Sequence, residues 1–256
     1  MSETASPAGF APRRAAFFDV DETLISVRSM FRFLEFHLAE RGLPPVVYAR
    51  IRDDLEALPA AGWTRQQAGR AYYRVYGNQK ADRIAAQGER WFTGELAAGD
   101  LFVGGVFEAL RRHQRRGDLT VLVSGSFPAC VEPVARYVRA DLVVCTRPEI
   151  VDGVYTGRAD RPVVGPAKAD AVRDVLARHG IKAGDCFGYA DHASDLPMLR
   201  TVGHPVVVGE DPILTTIARE SGWVRLPGMP SGRRASGRPA GVGRHLHEPV
   251  EGMFRG

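Results

Sequence analysis

Two aspartates stand two residues apart in the stretch FFDVDETLIS, residues 17–26. Asp19 and Asp21 follow an apolar run, and Asp191 and Asp195 follow another in GYADHASD. One carboxylate at the end of a strand caps a helix or closes a turn. Four that meet at one place repel one another, and each loses solvation. A divalent cation resolves that conflict, and all-oxygen ligands favour Mg²⁺ over Zn²⁺. Such an ion keeps several waters and shares its remaining positions with substrate phosphate.

Two further segments fit a phosphate chemistry. Ser124, Gly125 and Ser126 close the run VLVSGS just before an expected helix start. Backbone N–H groups there, with a hydroxyl, make an anion site, although the tripeptide alone is common in turns. Lys168 opens an amphipathic stretch behind GPA. Alone it reads as a solvated lysine; beside several carboxylates and a phosphate it offsets their charge.

These groups can meet only if strands carry them to one edge. Ala15–Val20 is a short continuous apolar run, the mark of a strand buried on both faces. LTVLVSGS, DCFGYADHASD and HPVVVG have the same character. Between them, PACVEPVARYV, AKADAVRDVLARHG (closed by Gly180) and DLPMLRTV read as helices, and VDGVYTG as a hairpin turning at Asp152–Gly153. A long helical region follows the first strand. Ser29 is the expected N-cap of MFRFLEFHLAERG, which Gly42 and the Pro44–Pro45 pair end. Further helices are expected at about 46–57, 64–76, 79–97 and 101–116, with Trp63, Tyr72, Tyr73, Tyr76 and Trp91 in their core. Strand and helix alternate, so the pattern is an α/β core with a parallel sheet and a helical cap. In such sheets ligands bind beyond the carboxyl ends of the strands.

In their order and strand context, DVDET, LVSGS, Lys168 and ADHASDLPML resemble the four signature motifs of the haloacid dehalogenase superfamily of phosphohydrolases, over about residues 15–210. The helical insert, SGSFPACVEPVARYV and EIVDGVYTGR resemble its subfamily IB, the phosphoserine phosphatase-like branch. The resemblance implies a Rossmann-like three-layer α/β core with a parallel sheet and a helical C1-type cap inserted after the first strand. It implies residues 14–27 and 105–226 as core and 28–104 as cap. By position, Asp19 is the nucleophile and Asp21 the general acid and base. Mg²⁺ is held by the Asp19 carboxylate, the Asp21 carbonyl and Asp191. Ser124 and the backbone of Gly125 and Ser126 bind the phosphoryl group, and Lys168 neutralises it. Thr23 steadies the first loop, and Asp195 orders the metal's surroundings or holds Lys168. The expected activity is Mg²⁺-dependent hydrolysis of a small phosphate monoester through an aspartyl-phosphate. Asp21 favours a phosphatase or phosphomutase, because dehalogenases of the family lack this second aspartate. The alternatives are phosphoserine phosphatase, phosphotransferase and a non-catalytic binding protein of this fold.

The chain departs from the family pattern at two places. In the fourth motif Gly-Asp-Gly is replaced by Ala190-Asp191-His192, and Ser194 stands where Asn is usual. Phosphoserine phosphatases carry a glutamate nine residues after the nucleophile to hold the substrate's ammonium; here that position is Arg28. A cation there attracts a second anionic group on the substrate, or pairs with an acid of the cap such as Glu35.

Composition excludes several other classes. With 45% hydrophobic and 25% charged residues the chain is globular, and no apolar run is long enough to span a bilayer. The N-terminus, MSETASPAGFAPRRAA, lacks the apolar stretch of a secretory signal. Cys130, Cys145 and Cys186 are too few and scattered for a disulfide framework or a metal knuckle. They read as small buried hydrophobes, and the chain as cytoplasmic. The net charge of +4 lies largely beyond Pro227, where five arginines face two glutamates. Residues 227–256 are rich in Gly, Pro and Ser and read as a disordered basic tail, with an anion-binding arm as the alternative. Residues 1–13 read as disordered too. Neither nucleic acid nor membrane is expected as a partner, and nothing in the sequence sets the oligomeric state.

Overall fold

A computed structural model describes residues 12–229. The expected loose N-terminus and basic tail lie outside the described residues, apart from 12–13 and 227–229. Six parallel strands form one sheet in the order β3-β2-β1-β6-β7-β8. They are β1 (Ala15–Phe18), β2 (Leu119–Ser124), β3 (Leu142–Cys145), β6 (Phe187–Ala190), β7 (His204–Val208) and β8 (Val224–Leu226). A separate antiparallel hairpin, β4 (Ile150–Val151) and β5 (Val154–Tyr155), turns through Asp152 and Gly153. Both turn residues have positive φ, as a two-residue hairpin loop requires.

Burial on both faces explains the unbroken apolar runs. Ala16, Phe18, Leu122 and Tyr189 look toward α5 (Gly104–Arg115) and α6 (Pro128–Val138), joined by Val106, Leu110, Val131 and Val134. Ala15, Phe17, Val121, Val123 and Val207 look the other way. They meet Val172 and Leu176 of α7 (Pro166–His179), Leu199 of α8 (Leu196–Leu199) and Leu214 of α9 (Pro212–Ser221). The result is a three-layer α/β fold.

Between β1 and α5 the chain builds a helical insert: α1 (Ser29–Glu40), α2 (Pro45–Ala57), α3 (Arg65–Tyr73) and α4 (Ala81–Ala98). On α1, Phe33, Leu34 and Leu38 recur at helical spacing and are buried. A capping box starts α3, in which the Thr64 side chain accepts from the Gln67 backbone N–H and Gln67 returns a bond to the Thr64 N–H. Gly88 lets α4 lie against the first turn of α6, since a Cβ there would fall 2.0 Å from the Ala129 carbonyl oxygen.

Four expectations need correction. Arg28, not Ser29, is the N-cap of α1; Ser29 is buried as the first helical residue, and its hydroxyl donates to Ser126 Oγ at 3.1 Å. The first strand ends at Phe18, because the chain turns to deliver Asp19. Tyr72, Tyr73, Tyr76 and Trp91 join Phe33 in the core of the insert, but Trp63 is 40% exposed in the loop before α3. No element is expected from the sequence after HPVVVG, yet α9 follows there and β8 completes the sheet. All three cysteines are buried free thiols. Among the described residues no helix is long and apolar enough to cross a membrane.

Candidate active site

Strand order reverses on the two sides of β1, so β1 and β6 flank the topological switch point, where open α/β sheets form a crevice. Asp19 follows β1 there and Asp191 follows β6. The two ends are tied together, because the Asp19 N–H donates to the Tyr189 carbonyl at 2.9 Å. After Asp19 the chain folds back at once: the N–H groups of Leu24 and Ile25 donate to the Val20 carbonyl at 3.0 and 2.9 Å. Glu22 sits inside this turn with φ +57°, a strained conformation for a residue with a side chain.

A cavity of about 500 Å³ opens above this edge. Asp19, Asp21, Arg28, Ser124, Gly125, Ser126, Lys168, Asp191 and Asp195 all line it. Thr23 stands behind them; its hydroxyl donates to Asp191 Oδ1 at 2.6 Å and lies 3.3 Å from Asp19 Oδ2. Residues singled out at four separate places in the sequence therefore meet at one site.

Lys168 is the centre of the charge pattern. Its Nζ lies 2.6 Å from Asp19 Oδ1 and 2.7 Å from Asp195 Oδ2, and all three side chains are buried. Burial alone would push the ammonium down, but the two carboxylates outweigh it and hold it above the usual lysine range. The Asp19 carboxyl is raised well above its ordinary range, chiefly by burial, with Asp195 and Asp191 adding to the rise and Lys168 opposing it. Asp191 is raised by burial and by Asp195, against the hydrogen bond from Thr23. Asp21 is pushed up to about 6, again by burial, with hydrogen bonds from Ser29 opposing. One of its oxygens, Oδ1, is buried without a hydrogen-bond partner. A carboxyl with that pKa and a free oxygen can give or take a proton near neutral pH.

These residues fit a divalent cation. Buried Asp19 and half-buried Asp191 are bridged by one hydroxyl, and the charge of Asp191 adds to the proton affinity of Asp19, an effect that a bound cation would offset. Among the described residues no three His, Cys, Asp or Glu side chains form a closed cage. Two carboxylates and the Asp21 carbonyl are the sparse oxygen set that Mg²⁺ takes while keeping its waters.

Opposite the carboxylates lies a cradle of hydrogen-bond donors. The Ser126 N–H donates to Ser124 Oγ at 3.0 Å, so the Ser124 hydroxyl proton is free for another acceptor. The Gly125 carbonyl is held from behind by the Tyr73 hydroxyl at 2.9 Å and Thr146 Oγ1 at 2.8 Å. Thr146 Oγ1 also accepts the Val163 N–H at 2.9 Å, which ties the cradle to the segment leading into α7 and Lys168. Tyr73 is expected from the sequence only as a core aromatic, and Thr146 is not singled out there. Neither is Asp211, which caps α9 at the N–H groups of Ile213 and Leu214 and holds the Ala193 N–H of the fourth loop at 3.2 Å.

Arg28 pairs with an acid of the insert, as the second alternative has it, although that acid is Glu56 and not Glu35. Its Nη1 lies 2.9 Å from Glu56 Oε1, and its guanidinium stacks 4.3 Å over the Phe31 ring. Glu35 pairs with Arg32 instead. A second cation, Arg65 at the start of α3, also lines the cavity; it donates to the Ser194 hydroxyl and lies 3.3 Å from His192 Nδ1. Two of the departures in the fourth motif, His192 and Ser194, are thus the groups that meet the insert.

A model of the haloacid dehalogenase-like hydrolase family matches residues 16–200. The chain is 31% identical over 222 residues to the inhibition of morphological differentiation protein of Streptomyces azureus, covering 83% of this chain and 77% of that protein. It is 29% identical over 215 residues to a phosphoserine phosphatase of Mycobacterium tuberculosis, covering 82% and 69% of the two chains. The crystal structure of a protein of unknown function from Bordetella pertussis superposes with a TM-score of 0.75 at 29% identity, over 84% of this chain and 98% of that one.

Proposed function

The chain belongs to the haloacid dehalogenase-like hydrolase family, as a phosphatase, and we propose that it hydrolyses a small-molecule phosphate monoester through an aspartyl-phosphate on Asp19. The observation that carries this reading is the pairing of roles in one cavity. Asp19 is fixed by Lys168 at 2.6 Å, while Asp21 keeps one oxygen without a partner and a pKa of about 6.

In this reading residues 14–27 and 105–226 are the catalytic core and 28–104 the cap. The Ser124 hydroxyl and the N–H of Gly125 donate to the phosphoryl oxygens. Lys168 holds Asp19 against rotation and balances the negative charge that the substrate brings. An Asp19 carboxylate oxygen attacks phosphorus, and the bond from phosphorus to the leaving oxygen breaks. The Asp21 carboxyl gives its proton to that oxygen, so the product alcohol departs neutral. Asp21, now ionised, takes a proton from a water as it attacks phosphorus; inorganic phosphate leaves and Asp19 is restored. Asp19, the Asp21 carbonyl and Asp191 would hold Mg²⁺, whose charge would screen the nucleophile from the phosphoryl group. Thr23 and Asp195 keep those carboxylates in place.

The test is hydrolysis of p-nitrophenyl phosphate with Mg²⁺, with EDTA, and by Asp19→Asn. Turnover should need the metal and vanish in a variant that melts like wild type. Metal-independent turnover, or an active Asp19→Asn enzyme, would refute the scheme. Phosphoserine has little support as the substrate, since Arg28 stands where its ammonium would need a carboxylate.

A further inference from the structure

We propose that the leaving group of the substrate carries an apolar body, that of an alkyl or aromatic alcohol and not of an amino acid. This rests on the phosphatase reading above and concerns the part of the same cavity that the phosphoryl chemistry does not use.

Three observations carry it. The first is size. A cavity of about 500 Å³ lies within the ~300–1,000 Å³ that enclose ligands of drug size, well beyond a phosphoryl group on three carbons. The second is the wall above the floor. Met30 and Phe31 of α1, Leu55 of α2, Ala68 of α3, and Pro162 and Val164 of the segment before α7 all line it. Leu55 and Pro162 are buried; the other four are half-buried, each with apolar surface left for a ligand to cover. Four separate segments thus supply apolar groups to one side of the cavity.

The third is charge. The cations on this wall already have partners. Arg28 is paired with Glu56 at 2.9 Å and lies over the Phe31 ring, while Arg65 donates to Ser194 and lies beside His192. Glu56, beside Arg28, is engaged by that pair. A zwitterionic leaving group would have to compete with these solvent-exposed pairs for its own partners. A hydrocarbon chain breaks none of them and gains from each methylene removed from water.

The experiment is a series of methyl, ethyl, butyl and hexyl phosphate, with O-phosphoserine and p-nitrophenyl phosphate alongside. The primary alcohols leave with nearly equal proton affinity, so a trend along the series reports binding and not chemistry. Expected is a rise in kcat/KM of about two- to fourfold per methylene until the wall is covered. Phe31→Ala and Ala68→Glu should flatten that rise, cutting the hexyl-to-methyl ratio at least about tenfold. Ala68 is on a half-exposed helix face, so its variant should fold even if Phe31→Ala does not. A flat series, or O-phosphoserine as the best substrate, with p-nitrophenyl phosphate still turned over, would overturn the inference and leave the phosphatase reading intact. No turnover of any ester would overturn the phosphatase reading and this inference with it.

Discussion

The Lys168 ammonium sits 2.6 Å from the Asp19 carboxylate, with both side chains buried and Asp195 closing the other side at 2.7 Å. Removing the cation leaves two buried carboxylates without their counter-charge. Lys168→Met should therefore lower stability by about 3 kcal/mol, within the range for breaking a buried pair. It should also reduce kcat on p-nitrophenyl phosphate at least about 100-fold, the loss of a charged group facing the transferred phosphoryl. Urea melts and steady-state kinetics on the same preparation separate the two effects. A variant destabilised but fully active would confine Lys168 to a structural role.

Thr146 should matter more than its position at the end of β3 implies. Its hydroxyl donates to the Gly125 carbonyl and accepts the Val163 N–H, so Thr146→Val leaves that partly buried donor unpaired. The expected cost is about 1–3 kcal/mol. The cradle would then be held by Tyr73 alone, and inhibition by inorganic phosphate should weaken about five- to tenfold, half or more of one good hydrogen bond's worth. Thr146→Ser should restore both, because it returns the hydroxyl without the methyl. A change in stability with no change in phosphate inhibition would separate Thr146 from the cradle.

The legible part of this site follows from burial. A strand packed on both faces must be apolar, so Asp19, Ser124 and Asp191 stand out where the apolar runs β1, β2 and β6 end. The parallel order then brings those ends together. What stayed hidden depends on contacts between distant positions. Tyr73 reaches Gly125 across 52 residues and Arg65 reaches Ser194 across 129, and neither follows a local period. Arg28 was visible as a cation near the site, but Glu56, which neutralises it, comes from the next helix. Ser29 has the chemistry of an N-cap, yet a buried partner, Ser126, draws it into the helix. The start of α9 did carry signals, Asp211 as cap and Pro212 at the first turn, but the helix is short and buries only Leu214 and Ala218.

Acid should weaken the fold through His113. Its Nδ1 lies 2.8 Å from Asp118 Oδ2 and its Nε2 2.9 Å from the Tyr189 hydroxyl, all beneath the sheet. Burial lowers its pKa from 6.5, outweighing the opposing pull of Asp118. Because the folded value is the lower one, the unfolded chain binds more protons as pH falls below about 6.5. The stability contributed by the neutral imidazole is then complete above that pH and is lost progressively toward the folded pKa. His113→Gln should be less stable than wild type at pH 7.5, and the gap in thermal midpoint should narrow by pH 5. An unchanged gap would mean that His113 does not titrate differently on unfolding.

Arg65 offers a test of how the insert bears on turnover. It reaches from the first turn of α3 to Ser194 and His192, beside Asp191, while Tyr73 at the other end of α3 holds the Gly125 carbonyl. One helix thus touches both loops of the site. Arg65 is exposed, so Arg65→Ala should leave the thermal midpoint within about 1–2 °C of wild type. Its loss frees the start of α3 from the fourth loop, and the wall carrying Ala68 is then less well placed over a bound substrate. Expected is a several-fold rise in KM with kcat within about threefold, the pattern of a group that binds ground and transition states alike. Faster backbone hydrogen exchange over residues 64–70, with exchange in β1 and β6 unchanged, would accompany it. A fall in kcat at constant KM would instead place Arg65 in the chemical step.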